Sequence, residues 1–273
     1  MDGAASVDYS QLSPREARQL IREGLVRQTS GMSYGHLQVS VKMIPQRYAF
    51  DFLLYCQRNP APLPALEVLE PGVYAPKVLA TGADIRTDCP RYRVWKNGKV
   101  AANPTDIVEY WRDDIVTFFL GGSFTFERAL VKAGIPMRHN EENVPCPIFA
   151  TNVMTNPAGP FHGPIAVTMR PIPRAMLPRA IEMTARIPNA HGSPLWIGDP
   201  QAIGVADLDK PDFGKRVTIK PDEVPVFWSC GVTATLAIEN AKLDYVLTNE
   251  PNHVFIADIS EEDAGFLNLP KIA

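Results

Sequence analysis

Ile115 to Leu130 reads IVTFFLGGSFTFERAL. An apolar run ends in two glycines and a serine, and a helix-like segment follows from about Phe124 to Ala133, with Gly134 as its stop. Strand followed by helix recurs along the chain. LQVSVKMIP precedes QRYAFDFLLYCQRNP, IAVTMRPIP precedes PRAIEMTARIP, and VPVFWSC precedes GVTATLAIENAK. PLWIGDPQAIG reads as strand, turn and short helix, and HVFIADI as a last strand. This alternation predicts an α/β fold with a mixed, mostly parallel sheet and flanking helices, in one lobe or two. RYRVWKNGKVAANP adds an antiparallel hairpin, with Asn97-Gly98 as a type I′ turn. At the front, SPREARQLIREG carries a capping box: Ser13, Pro14 and Glu16, with Gly24 as stop. Residues 60–83 read as irregular, and a short helix is expected near TDIVEYWRDD. The expected organisation is a tail at 1–12, one α/β domain over 13–262, and a second tail at 263–273.

The 273 residues are enough for a substantial core. With 45% apolar residues, 21% charged residues and a net charge of −3, the composition is that of a soluble globular protein. No basic cluster points to nucleic acid or a membrane surface. No apolar run approaches the ~18 residues of a membrane span. The amino terminus MDGAASVDYS resembles neither a signal nor a transit peptide, so the expected compartment is the cytoplasm. The cysteines at 56, 89, 146 and 230 form no CxxC pair and suggest no disulfide framework.

In open parallel sheets, ligands sit beyond the carboxyl ends of the strands. That rule selects the junctions at 120–127, 169–174, 197–203 and 227–235. The first lacks the lysine of a phosphate loop and the final glycine of a nucleophile elbow. What remains is a helix start, with Ser123 as cap, Gly122 permitting close approach, and Glu127 one turn on. It is read either as an anion site or as a capped, packed turn. FWSCGVT repeats the pattern, and Cys230 is either an activated thiol or a small buried residue. In GADIRTDCPRYRVW, Arg86 and Asp88 belong to a charged group suited to a substrate carboxylate or to a surface ion-pair network. His191 and His253 are candidate general bases or hydrogen-bonded structural histidines. No HExxH occurs. Carboxylates near Asp199 or Glu127 are the candidates for a weakly held divalent cation, Mn or Mg; no other cofactor is expected.

Several stretches together resemble one family: SPREARQLIREG, YAFDFLLYCQRNP, TGADIRTDCPRYRVW, YWRDDIVTFFLGGSFTFERAL, AGIPMRH, MRPIP, HGSPLWIGDP, PDFG and VPVFWSCGVT. They resemble the YcsI-type hydro-lyases, the family that includes a D-glutamate cyclase domain. The resemblance runs from about residue 13 to 260. It implies a hydro-lyase that removes water from a small amino or carboxylic acid. In the cyclase, the α-amine of D-glutamate attacks its own γ-carboxyl group. Such chemistry needs a carboxylate clamp, for which Arg86 or Arg170 is suited, and an oxyanion or carboxylate site at Ser123. It also needs proton carriers, for which Glu127 and His253 are the candidates, with His191, Cys230 and Asp199 completing the site. The chain departs from the family pattern at several places. Gly122 stands for a cysteine, Trp196 for a histidine, Asn249 and Asn252 for a histidine and a glycine, and His36 and Ser40 for a tyrosine and an asparagine. These departures imply cyclase-like chemistry on an altered substrate. A hydrolase or isomerase using the same cleft, and a non-catalytic small-acid binding protein, are the alternatives. The expected partner is a small acid, with no nucleic acid and no membrane; a homodimer is the oligomer considered.

Overall fold

In the computed structural model, which describes residues 7–263, the Ser13 capping box forms as the sequence predicts. The Glu16 carboxylate accepts from the Ser13 N–H at 2.8 Å, and the Ser13 hydroxyl accepts from the Glu16 N–H. This closes the front of α1 (Pro14–Arg22). The chain then runs through β1 (His36–Pro45), α2 (Gln46–Arg58), β2 (Ala65–Val68), and the hairpin β3 (Tyr92–Lys96) and β4 (Lys99–Ala102). Next come β5 (Ile115–Gly121), a 3-10 turn (Ser123–Phe126), α3 (Glu127–Lys132), α4 (Arg138–Glu141), β6 (Ile148–Met154) and β7 (Pro164–Pro173). The remainder is α5 (Leu177–Ala185), β8 (Trp196–Ile197), β9 (Glu223–Ser229), α6 (Val232–Ala241), β10 (Val246–Asn249) and β11 (Phe255–Ser260).

Among the described residues the strands form two sheets rather than one. The first has seven strands, in the order β2-β5-β1-β10-β3-β4, with β11 also on β1; the second has four, in the order β6-β7-β9-β8. Every strand pairing is antiparallel, so the mostly parallel sheet expected from the sequence is wrong. The physical reason lies in where the helices lead. A parallel sheet needs each helix to return the chain beside the strand it left. Here the helices after β5 carry the chain into the other sheet. Three strands that the sequence reading passed over, β2, β6 and β10, supply antiparallel neighbours to β5, β7 and β1. The Asn97-Gly98 hairpin forms, with φ of 51° and 73° at its two turn residues. The helix expected near residues 105–114 is a series of turns. Of the expected tails, 7–12 includes a single 3-10 turn at Tyr9–Gln11; 1–6 and 264–273 lie outside the described residues.

β1 is central, and its alternation divides its side chains. Leu37, Val39, Val41 and Met43 enter the main core with Phe119 and Phe255, and with Val226 and Trp228 of the second sheet. Gln38, Ser40 and Lys42 take the opposite face and are also buried. Among the described residues, no helix is long and apolar enough to cross a membrane.

The two glycines that end β5 are there for close approach. A Cβ on Gly121 would lie 1.6 Å from the Asn189 carbonyl oxygen, and one on Gly122 would lie 2.6 Å from that of Gln38. Gly121→Ala is therefore expected to destabilise the fold by about 1–3 kcal/mol, as overpacking does. Chemical denaturation would check this, and an unchanged midpoint would contradict the packing.

Candidate active site

β10 and β11 share one edge of β1. Thr248 and Leu247 pair with Lys42 and Met43, whereas Ile256 and Phe255 pair with Gln38 and Val39. Between them the chain leaves the sheet at Asn249 and returns near Val254. Asn249 bridges the gap: its Oδ1 accepts from the Val41 N–H at 2.8 Å and from the Ser40 hydroxyl at 3.0 Å. Beside this split lies a small crevice with about 480 Å³ of empty space, open solvent included. Ser40, Lys42, Asn249, Asn252 and Val254 come from the split. Gly122, Ser123 and Phe124 come from the end of β5, and Cys230, Gly231, Val232 and Thr235 from the turn into α6. Pro251, Thr168, Ile148 and His191 complete the wall.

Two of the four junctions selected from the sequence, 120–127 and 227–235, thus meet at one crevice, whereas 169–174 and 197–203 do not line it. The parallel-strand rule is not what unites them. β5 and β9 belong to different antiparallel sheets and end at the same place.

Lys42 was not singled out from the sequence. It is 1% exposed, and its Nζ donates to Ser40 Oγ at 2.8 Å. No carboxylate lies within ion-pair reach of it among the described residues. Burial, reinforced by the Arg93 charge, lowers its pKa from 10.5 to about 7. The signal was present: a lysine on the alternating polar face of LQVSVKMI, a strand whose other face is wholly apolar.

Behind the cavity wall lies a buried ionic cluster. Arg170 Nη2 donates to Glu127 Oε1 at 2.7 Å and to Ser123 Oγ at 3.1 Å, while Nη1 donates to Thr168 Oγ1 at 2.9 Å. His139 Nε2 lies 3.1 Å from Glu127 Oε1, and Ser30 and Asn140 reach Oε2. Burial alone would raise the Glu127 pKa; His139 and Arg170 outweigh it and hold the carboxyl at about 2. Glu127 is thus a fixed anion outside the cavity lining, not a group poised to exchange protons near neutral pH. Ser123 does not cap the turn as expected. Gly122 is the N-cap, and the Ser123 oxygen accepts from Arg170 instead.

The remaining candidates separate clearly. His191 lines the cavity in a left-handed backbone conformation, φ 77°. Its Nδ1 donates to the Ala61 carbonyl at 2.8 Å, which leaves Nε2 as an acceptor, and burial lowers its pKa to about 4. Cys230 lines the cavity, but burial raises its thiol pKa despite the Val232 N–H and the Lys42 charge, so the thiol form is favoured. His253 bonds the Pro251 carbonyl and is not part of the lining that its neighbours Asn252 and Val254 form. Arg86 pairs with Asp84 and stacks on Tyr74, 3.5 Å from the ring centre. Asp88 is fully buried between Arg22 and Arg18. Asp199 caps an exposed turn through the Gln201 N–H. Among the described residues no three His, Cys, Asp or Glu side chains gather as metal ligands, and Asp199 and Glu127 do not fit a Mn or Mg site.

Of the departures from the family pattern, Ser40, Gly122, Asn249 and Asn252 all line this cavity, whereas Trp196 is exposed.

A family model described as D-glutamate cyclase matches residues 116–258. That stretch spans β5 to β11 and leaves Ser40 and Lys42 outside it. A protein of Thermoanaerobacter sp. (strain X514) named "Putative hydro-lyase" is 51% identical over 257 residues, 94% of this chain and 97% of its own. Similarly named proteins of Geobacillus kaustophilus (strain HTA426) and Psychrobacter arcticus are 48% and 44% identical, over 94% and 96% of this chain and 98% and 100% of theirs. The chain belongs to the D-glutamate cyclase family, whose relatives carry the hydro-lyase name.

Proposed function

We propose that this protein is a hydro-lyase that removes water from a small amino or carboxylic acid in the cavity beside the β1 split. The chemistry resembles D-glutamate cyclisation, on an altered substrate. The observation that carries this reading is Lys42: a buried amine on the cavity wall, its pKa lowered to about 7, with no carboxylate beside it among the described residues. Such a group takes and returns a proton near neutral pH.

For a substrate bearing an ammonium and a carboxylate, the sequence of events is short. Neutral Lys42 takes a proton from the substrate ammonium. The freed amine attacks the distal carboxyl carbon, and holding the two ends together supplies the proximity. Charge develops on the carboxyl oxygens. The Ser123 hydroxyl donates there; its oxygen accepts from Arg170, which supports this role by leaving its proton free. The Lys42 ammonium then returns its proton to the departing oxygen. The amine's second proton leaves with the same oxygen, giving water and a lactam. The fixed charges of Arg170 and Glu127 stay behind the wall.

The test is a thermal-shift and turnover screen with D-glutamate, L-glutamate, 5-oxoproline and other small acids. A ligand at a hundredfold excess over its Kd adds about 2.7 kcal/mol of stability. At least one small acid is expected to raise the melting temperature and to lose or gain water. A flat response across the whole set would sink the reading.

A further inference from the structure

Among the described residues, the Lys42 amine on the cavity wall has one hydrogen-bond partner, Ser40, and no anion within ion-pair reach. We infer that it is also a nucleophile, which condenses with small 2-oxo acids to form an imine. The inference deepens the proposed function and rests on it, naming carbonyl acids as a substrate class of the same site.

Three features of the site support capture of a carbonyl. The first is direction. Asn249 Oδ1 already accepts from the Ser40 hydroxyl, so Ser40 has spent its only proton and serves Lys42 as an acceptor. One N–H of the neutral amine is thereby tethered, and its lone pair and second N–H remain for a ligand. Ser40 and Lys42 lie two residues apart on one face of β1, which fixes both in the strand. The second is protonation state. Amines attack carbonyls only when neutral, and burial brings Lys42 close to that condition at neutral pH. The third is the surroundings. A 2-oxo acid needs donors for its carboxylate and a proton for the carbonyl oxygen. The Ser123 and Thr235 hydroxyls and the thiol-form Cys230 line the same cavity.

The condensation balances without any further reactant. The nitrogen lone pair bonds the carbonyl carbon, and the C=O π pair moves to oxygen. The carbinolamine oxygen takes up both amine hydrogens, directly or through the hydroxyls. The C–O bond then breaks to release water as C=N forms. An imine at C2 makes the neighbouring C3 hydrogens acidic, which is useful to an enzyme that eliminates water.

The experiment treats the full-length protein at neutral pH with pyruvate or 2-oxoglutarate, adds borohydride, and measures the intact mass. One reduced adduct per chain is expected, mapped to the Lys42 peptide and abolished in Lys42→Met. Lactate, which has no carbonyl, should give none. No adduct, or equal labelling of wild type and Lys42→Met, would overturn the inference. Those results leave small-acid binding and turnover untouched in the thermal-shift screen, so the two failures are distinguishable. Circular dichroism of Lys42→Met confirms that the variant tested is folded.

Discussion

Lys42→Met is expected to lower turnover by at least about a hundredfold, the lower bound for losing a positioned acid–base group, without loss of stability. The two effects share one cause. Lys42 is buried beside Ser40 without a carboxylate, so the fold carries the cost of desolvating an amine. Methionine, one atom shorter, keeps an unbranched apolar stem and removes that cost. The pH dependence gives the sign. The folded pKa, about 7, lies below the ordinary 10.5. Between those values the unfolded chain binds a proton that the folded chain does not, so stability rises with pH across that window. The penalty is greatest below about pH 7, where it is on the order of 5 kcal/mol, and fades by about pH 10.5. Lys42→Met should therefore stabilise most at or below neutral pH and least above pH 10. Denaturation at several pH values measures it. A variant that is both inactive and destabilised at every pH would assign Lys42 to packing instead.

Glu127→Gln is expected to have the opposite signature. The carboxylate is fully buried between Arg170 and His139, so removing its charge leaves Arg170 without its anion. Breaking a buried pair on one side costs about 3–5 kcal/mol. Here the folded pKa is depressed, from 4.5 to about 2. The stabilisation is present above pH 4.5 and is lost as pH falls through about 2. The acid limb of the wild-type stability curve should thus flatten in the variant. Ser123 is held by the same Arg170 nitrogen, so substrate affinity should weaken as well. If Glu127→Gln were as stable as the wild type at pH 7 and kept the same acid limb, the ion pair would have no such role.

The sequence carried local structure well and pairing poorly. The Ser13 box, the Asn97-Gly98 hairpin and the strand–helix junctions follow from short-range chemistry, and each is found. Strand direction does not follow from such chemistry. β2, ALEV, lies inside a proline-rich segment, and β10, VLTN, is short. Neither carries a strong signal, yet both decide which edges pair. The same applies to the site. Cys230, Ser123, Gly122 and His191 reach one cavity, because strand ends and tight turns mark such places locally. Arg86, Asp88 and Asp199 do not, because a charged residue in a loop reads alike whether it meets a ligand or a neighbouring ion. Lys42 is not legible in the sequence for a different reason. Its meaning comes from burial on both faces of β1, and that depends on β10 and β11 splitting along one edge, a pairing separated from β1 by about two hundred residues of chain.

The central claim is that an amine at Lys42 that titrates near neutral pH faces the cavity. Its most direct measurement is the titration of ε-13C lysine resonances by NMR in the wild type and in Lys42→Met. One resonance, absent from the variant, should titrate near pH 7, and a small acid bound in the cavity should shift it. If every lysine resonance titrated near the ordinary 10.5, or if the resonance lost in Lys42→Met did, the amine would be charged at neutral pH and the account would be contradicted.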